Sequence, residues 1–133
     1  MNRVCNMYDK HKIQEKYDEI ANDILDISRD TLLVNLRFMD MALSYHTREA
    51  STNICSSLAS NGKSLFYNPY NVIKEYSQGS NEIIRSYLHT IFHCIYQHQF
   101  VNPGINKAYW DLACDIAVEN TINDISIVVR DEL

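Results

Sequence analysis

A chain of 133 residues carrying a formal charge of −5 is one domain by length, large enough to bury a core. The acidic balance argues against broad nucleic-acid binding, which needs a basic face, and no apolar run approaches the roughly 18 residues that span a bilayer. The N-terminal "MNRVCNMYDKHK" is polar and lacks the apolar stretch of a secretory signal, so a cytoplasmic location is expected.

The first segment reads as a helix. Ile13, Tyr17, Ile20, Ile24 and Ile27 recur at spacings of four and three, with charges between them. Ser28-Arg29-Asp30 is expected to end or kink it. Leu32, Leu36, Met39 and Leu43 then carry a second helical stripe, and both stripes read as packing elements. Residues 46–53, "HTREASTN", read as a loop. The period then changes. "ICSSLAS" and "KSLFYN", joined by Asn61-Gly62, predict a β-hairpin, because both turn positions favour positive φ.

A short helix is predicted over 70–76, ended by Gly79. Ser80 is the expected N-cap of the next helix, with Glu82 in its first turn. In that helix Ile83, Ile84, Tyr87, Leu88, Ile91, Phe92 and Ile95 make a broad apolar face, and His89 and His93 lie at its border. "NPG" at 102–104 makes a turn. The last helix starts near Asn106 and runs to about Ile122, with Trp110, Ala113, Ala117 and Thr121 as expected buried positions. "ISIVVRDEL" fits a helix end or a strand. The sum is an α+β fold, mostly helical, with one hairpin.

Cys5, Cys55, Cys94 and Cys114 are scattered, with no CxxC pair. Without an export signal the thiols are expected to be reduced, which argues against a cysteine zinc ribbon. Cys94 and Cys114 read as small core side chains.

The chemistry concentrates in "YLHTIFHCIYQH", Tyr87 to His98. Two histidines at i and i+4 on a helix point the same way, and both imidazoles can meet one zinc ion at about 2.0–2.1 Å. A third ligand has to come from elsewhere. His98 qualifies only if the helix ends near Gln97, because on an unbroken helix it faces the opposite side. Asp115 is the alternative. Its neighbours Ala113, Cys114, Ile116, Ala117 and Val118 suggest burial, and a buried carboxylate needs a cation or strong donors. The bland reading is a helix border with hydrogen-bonded imidazoles. Asp111, Asp115 and Glu119 share one helix face, and for Asp111 a solvated position is the better reading. Tyr67, at the hairpin's end, could bond a substrate or simply pack.

The order of "LASNGKSLFYNP" (58–69), "YLHTIFHCIYQH" (87–98) and "YWDLACDIAVEN" (109–120) resembles a bacterial zincin-like metallopeptidase domain. That domain usually stands N-terminal to a von Willebrand factor A-type domain. The resemblance is strongest over 36–122 of a single domain spanning 1–133. It implies a zincin-like fold with the hairpin beside the metal helix. It also implies a zinc ion at His89, His93 and either His98 or Asp115, and a peptide segment along the hairpin as partner.

Three departures stand out. Thr90 occupies the position of the HExxH glutamate, which in zinc peptidases takes a proton from the attacking water; a threonine hydroxyl has no useful pKa for that. Glu119 stands where the family has asparagine, and Gln97 replaces the glycine before the third histidine. The leading expectation is therefore a metal-binding, metallopeptidase-like domain without the standard base, serving in binding or regulation. The alternatives are an active hydrolase using Glu119 as its base, and a metal-free protein-interaction module.

Overall fold

The computed structural model describes residues 2–98 and 100–132, with side chains at 9–98 and 100–125. It is a mostly helical α+β fold: five α-helices and a small three-stranded sheet among the described residues.

Helix α1 spans Asn2–Asn35 and runs straight through Ser28-Arg29-Asp30, where a break was expected. The reason is local. Ser28 is buried, and its hydroxyl donates to the Ile24 carbonyl at 2.8 Å, so it supports the helix it was expected to interrupt. The stripe expected in the core also turns outward. Ile13, Tyr17, Ile20 and Ile27 are exposed, and of that set only Ile24 is buried. The inward face is Ala21, Ile24, Leu25, Ser28 and Leu32, whose two small residues let α1 lie close against its neighbours.

A 3-10 turn, Arg37–Met39, leads into helix α2, Asp40–Tyr45. Leu36, Met39 and Leu43 are buried there as expected. Strand β1, Thr47–Ala50, replaces the expected loop and pairs in parallel with β3, Ser64–Tyr67. Its Arg48 reaches α1 and meets Asp26 at 2.6 Å. Strand β2, Leu58–Ser60, pairs antiparallel with β3, with Leu58 opposite Tyr67 and Ser60 opposite Leu65. The strand order is β1-β3-β2, so β2 is an edge.

The predicted hairpin is present, but its turn works differently. Only Gly62 takes positive φ, at 93°. Asn61 contributes its side chain instead: Oδ1 accepts from the backbone N–H of Lys63 and Ser64 at 3.0 and 2.8 Å.

Helix α3, Pro69–Gln78, starts with the Asn68 side chain accepting from the Tyr70 N–H and with Pro69 at the first position. Gly79, at φ 153°, separates it from α4, Ser80–Ile95. Gly79 is therefore the cap residue, and Ser80 is the first residue of α4 rather than its cap. Ile83, Tyr87, Leu88, Ile91 and Phe92 sink into the core, while Ile84 is half-buried and Ile95 exposed.

Helix α5, Lys107–Glu132, begins with Asn106 Oδ1 accepting from the N–H groups of Ala108 and Tyr109. Its backbone carries "ISIVVRDE" as helix. The buried positions are Cys114, Val118 and Ile122. Ala113 and Ala117 are exposed, and Trp110 and Thr121 are half-buried, so the inward stripe falls one position later than expected. Among the described residues, no helix is long and apolar enough to cross a membrane.

Candidate metal centre

Helix α4 ends where the third histidine needs it to end. The Gln97 N–H bonds the Cys94 carbonyl, and the His98 N–H bonds the His93 carbonyl at 3.0 Å. This pair of bonds is a Schellman motif, with Gln97 in the position that glycine usually fills. Gln97 accordingly takes φ 57°, the only positive φ outside glycine among the described residues. The reversal swings His98 back onto the helix, with its Nδ1 at 3.0 Å from His93 Nδ1. Trp110 holds the reversal from the other side: its indole N–H donates to the His98 carbonyl at 3.0 Å.

The opposite nitrogens of the two helix histidines converge. His89 Nε2 and His93 Nε2 are 2.9 Å apart, and Asp115 Oδ1 of α5 lies 3.3 Å from the first and 2.9 Å from the second. Among the described residues, these three side chains form a group that could hold a metal ion. Ligands at about 2.0–2.1 Å around a tetrahedral ion are separated by roughly 3.3–3.4 Å, so the triangle fits with slight contraction.

Donor chemistry supports the same fit. His89 Nδ1 lies 2.8 Å from Glu119 Oε1, and against a carboxylate that nitrogen carries the hydrogen. With the hydrogen on Nδ1, the neutral form of the ring would turn a lone pair from Nε2 into a space already holding an imidazole nitrogen and a carboxylate oxygen. A cation satisfies all three at once.

Asp115 is exposed, not buried as expected, because the flanking Ala113, Ile116 and Ala117 are themselves exposed and do not enclose it. Its partners are the two imidazoles.

Titration reflects these surroundings. Burial chiefly, then the neighbouring His89, holds His93 below the usual histidine range, against the opposing pull of Asp115. Partial burial pushes Glu119 up, but hydrogen bonds and charge from Arg85 and His89 outweigh it and leave the carboxyl below its usual range.

A cleft of about 480 Å³ opens over the triangle. Edge strand β2 with Ser56 forms one wall, and His89, Thr90, His93 and Asp115 line the other side. A second cavity of about 270 Å³ continues past His89 toward Glu82, Arg85 and Glu119, and the two share Ser56, Leu58, His89 and Thr90. Thr90 is buried, and its hydroxyl donates to the Ser86 carbonyl at 3.0 Å. Asp111 stands exposed at the rim. Cys94 is half-buried with its thiol 3.1 Å from the Ser60 hydroxyl, while Cys114 is a buried side chain as expected. Tyr67 faces the other way: it is buried, and its hydroxyl accepts from Asn22 of α1 at 2.8 Å.

Helix α3 fixes the wall formed by β2. Asn68, Asn71 and Glu75, spaced as one helix face, reach the segment that enters the strand. Asn68 Nδ2 donates to the Ile54 carbonyl, and Asn71 Nδ2 to those of Cys55 and Ser56, at 3.1–3.3 Å. Glu75 accepts from the hydroxyls of Ser57 and of Ser86 on α4. Sequence reading passed over Asn71, Glu75 and Arg85. The spacing of 68, 71 and 75, and of Arg85 one turn before His89, was the available signal.

A family model described as "Putative metallopeptidase domain" matches residues 30–129. The chain belongs to this family. The match takes in the Thr90-bearing helix, the Trp110 tether and all three converging ligand atoms. No curated protein and no solved structure matches the chain.

Proposed function

We propose that this metallopeptidase-family domain binds one divalent metal ion, zinc by preference, through His89, His93 and Asp115, and uses the site to bind peptide rather than to cut it. The convergence of two Nε2 atoms and one carboxylate oxygen within 3.3 Å carries the metal reading. Held there, the ion supplies Lewis-acid polarisation.

The non-cutting part of the reading rests on the position after His89, where no carboxylate stands. Thr90 follows His89 where the base would stand, and its hydroxyl is committed to Ser86. Glu119 lies against the Nδ1 side of His89, across the ring from the converging nitrogens. That position disfavours the alternative in which Glu119 acts as the base. His98 bonds the far nitrogen of His93 and acts as a support for it.

The peptide reading rests on β2. Alternation in an antiparallel pair turns the backbone groups of Leu58 and Ser60 away from β3, on the edge strand that walls the cleft. An extended segment could add to that edge. Ser56 Oγ already donates to the Leu58 carbonyl at 2.9 Å, which limits how far a strand could pair.

Elemental analysis of purified protein beside a His89→Ala/His93→Ala variant tests the metal. One equivalent in the wild type, lost in the variant, is expected; no metal in the wild type, even after zinc is added, overturns the reading. Incubation of the zinc form with a broad peptide library tests the rest, and turnover well above background would overturn the non-cutting assignment.

A further inference from the structure

Helices α4 and α5 meet along two columns of polar residues, each stepping by one turn. His93, His89 and Arg85 descend α4; Asp115, Glu119 and Asn123 ascend α5. The contacts interlock. Asp115 touches both histidines, Glu119 bridges His89 and Arg85, and Arg85 bridges Glu119 and Asn123, the last contact at 3.1 Å. The triangle of ligand atoms is one end of this zipper.

We infer that Glu119 and Arg85 are positioning residues of the metal centre, an inference that rests on the metal reading above. Glu119 takes the Nδ1 hydrogen of His89. That bond fixes the ring's rotation and its tautomer, so that Nε2 presents its lone pair to the triangle. The carboxylate's charge also makes the imidazole a better donor to a cation. Arg85 holds the other oxygen of Glu119 and keeps the carboxylate from swinging into solvent. Asn123 in turn steadies Arg85. The geometry thus gives Glu119 a task behind the ring.

An ordinary surface ion pair would make the same Arg85–Glu119 contact, since both side chains are about 40% exposed. Metal affinity separates the two cases. Zinc would be titrated against a chromogenic chelator with wild type, Glu119→Gln, Glu119→Leu and Arg85→Met, and the metal-free melting temperature recorded for each. Glu119→Leu removes both bond and charge and is expected to weaken zinc binding about 10–100-fold. Glu119→Gln keeps an acceptor for the His89 hydrogen and should lose less. Arg85→Met should fall between wild type and Glu119→Leu, with metal-free melting close to wild type.

Zinc affinity within twofold of wild type in all three variants overturns the inference while the metal site stands. No zinc binding by the wild type overturns the metal reading and this inference with it. If Glu119→Leu fails to fold, Glu119→Gln and Arg85→Met decide the matter by the same criterion.

Discussion

The indole N–H of Trp110 donates to the carbonyl oxygen of His98 at 3.0 Å, tying the first turn of α5 to the reversal that ends α4. One bond therefore links the helix that carries Asp115 to the turn that carries His98. The two rings also meet edge to face, with centroids 6.0 Å apart. Replacing Trp110 by Phe keeps an aromatic edge and removes the donor. Trp110→Phe is expected to cost about 1 kcal/mol of stability, read by urea denaturation. The His98 ring resonances should shift in the same variant, while those of His11, far along α1, should not.

Gln97 sits in left-handed backbone at φ 57°, a conformation that costs a residue with a Cβ about 1–2 kcal/mol. Gln97→Gly relieves that cost and gives part of it back through a looser unfolded chain. A net gain of up to about 1 kcal/mol is expected. Gln97→Val, β-branched, should destabilise by about 1–2 kcal/mol. Denaturant midpoints of the two variants against wild type check both signs.

Acid should weaken the metal-free fold in two stages. His93 is held below its ordinary value of 6.5, so the unfolded chain takes the proton first. The stability tied to a neutral His93 is complete above 6.5 and is lost as pH falls from there through the lower folded value. Glu119 is also held below its ordinary value, 4.5. Its contribution is complete above 4.5 and disappears only as pH drops through its own folded value. Denaturation midpoints between pH 8 and 3, in protein stripped of metal, should fall first below 6.5 and again below 4.5. His93→Gln should shrink the first decline, leaving the part carried by His46, which burial also holds below 6.5, and leave the second unchanged.

Thr90→Glu puts a carboxylate directly after His89. On the proposed non-cutting reading, this variant with zinc should hydrolyse peptides faster than the wild type does. General-base catalysis contributes on the order of 10²–10⁴-fold. A fluorogenic peptide library measured with Thr90→Glu, Thr90→Gln and wild type checks it. No turnover in any of the three would show that a carboxylate at position 90 is not enough to give peptidase activity.

The helices and the hairpin were legible because their signals are local. Asn61-Gly62 marks the turn, Gly79 the break between α3 and α4, and the four-residue step from His89 to His93 a shared face. The failures share a cause: each depended on what a segment meets far along the chain. Thr47–Ala50 is polar and reads as loop, yet becomes a strand because β3, seventeen residues on, offers a parallel edge. The Ile13–Ile27 stripe has helical periodicity, but periodicity does not say which of two apolar faces the rest of the fold covers. Ala21 was overlooked, and Ser28 was read as a break, because small residues give little hydrophobic signal, though both lie on the buried face of α1.

The candidate site was legible in its three converging side chains and not in the residues around them. His89, His93 and Asp115 could be named from spacing and motif order, but burial of Asp115 was inferred from flanking residues that are themselves exposed. Arg85 and Glu75 carry no motif. The packing of α4 on α5, and of α3 on α4 and on the segment before β2, gives them their partners.

The hold of α3 on residues 54–57 has a consequence for how the cleft can change. Asn68 and Asn71 grip the carbonyls of Ile54, Cys55 and Ser56, atoms that every amino acid supplies. The path of the chain is thereby uncoupled from the identity of those three side chains. Position 56 borders both cavities, and its hydroxyl also holds the Leu58 carbonyl, so an exchange there releases one acceptor on the edge of β2 while the grip of Asn68 and Asn71 on the backbone stays. The segment is thus a lining whose backbone is fixed from α3, and whose side chains at Ser56 and Ser57 set how open the edge of β2 stands.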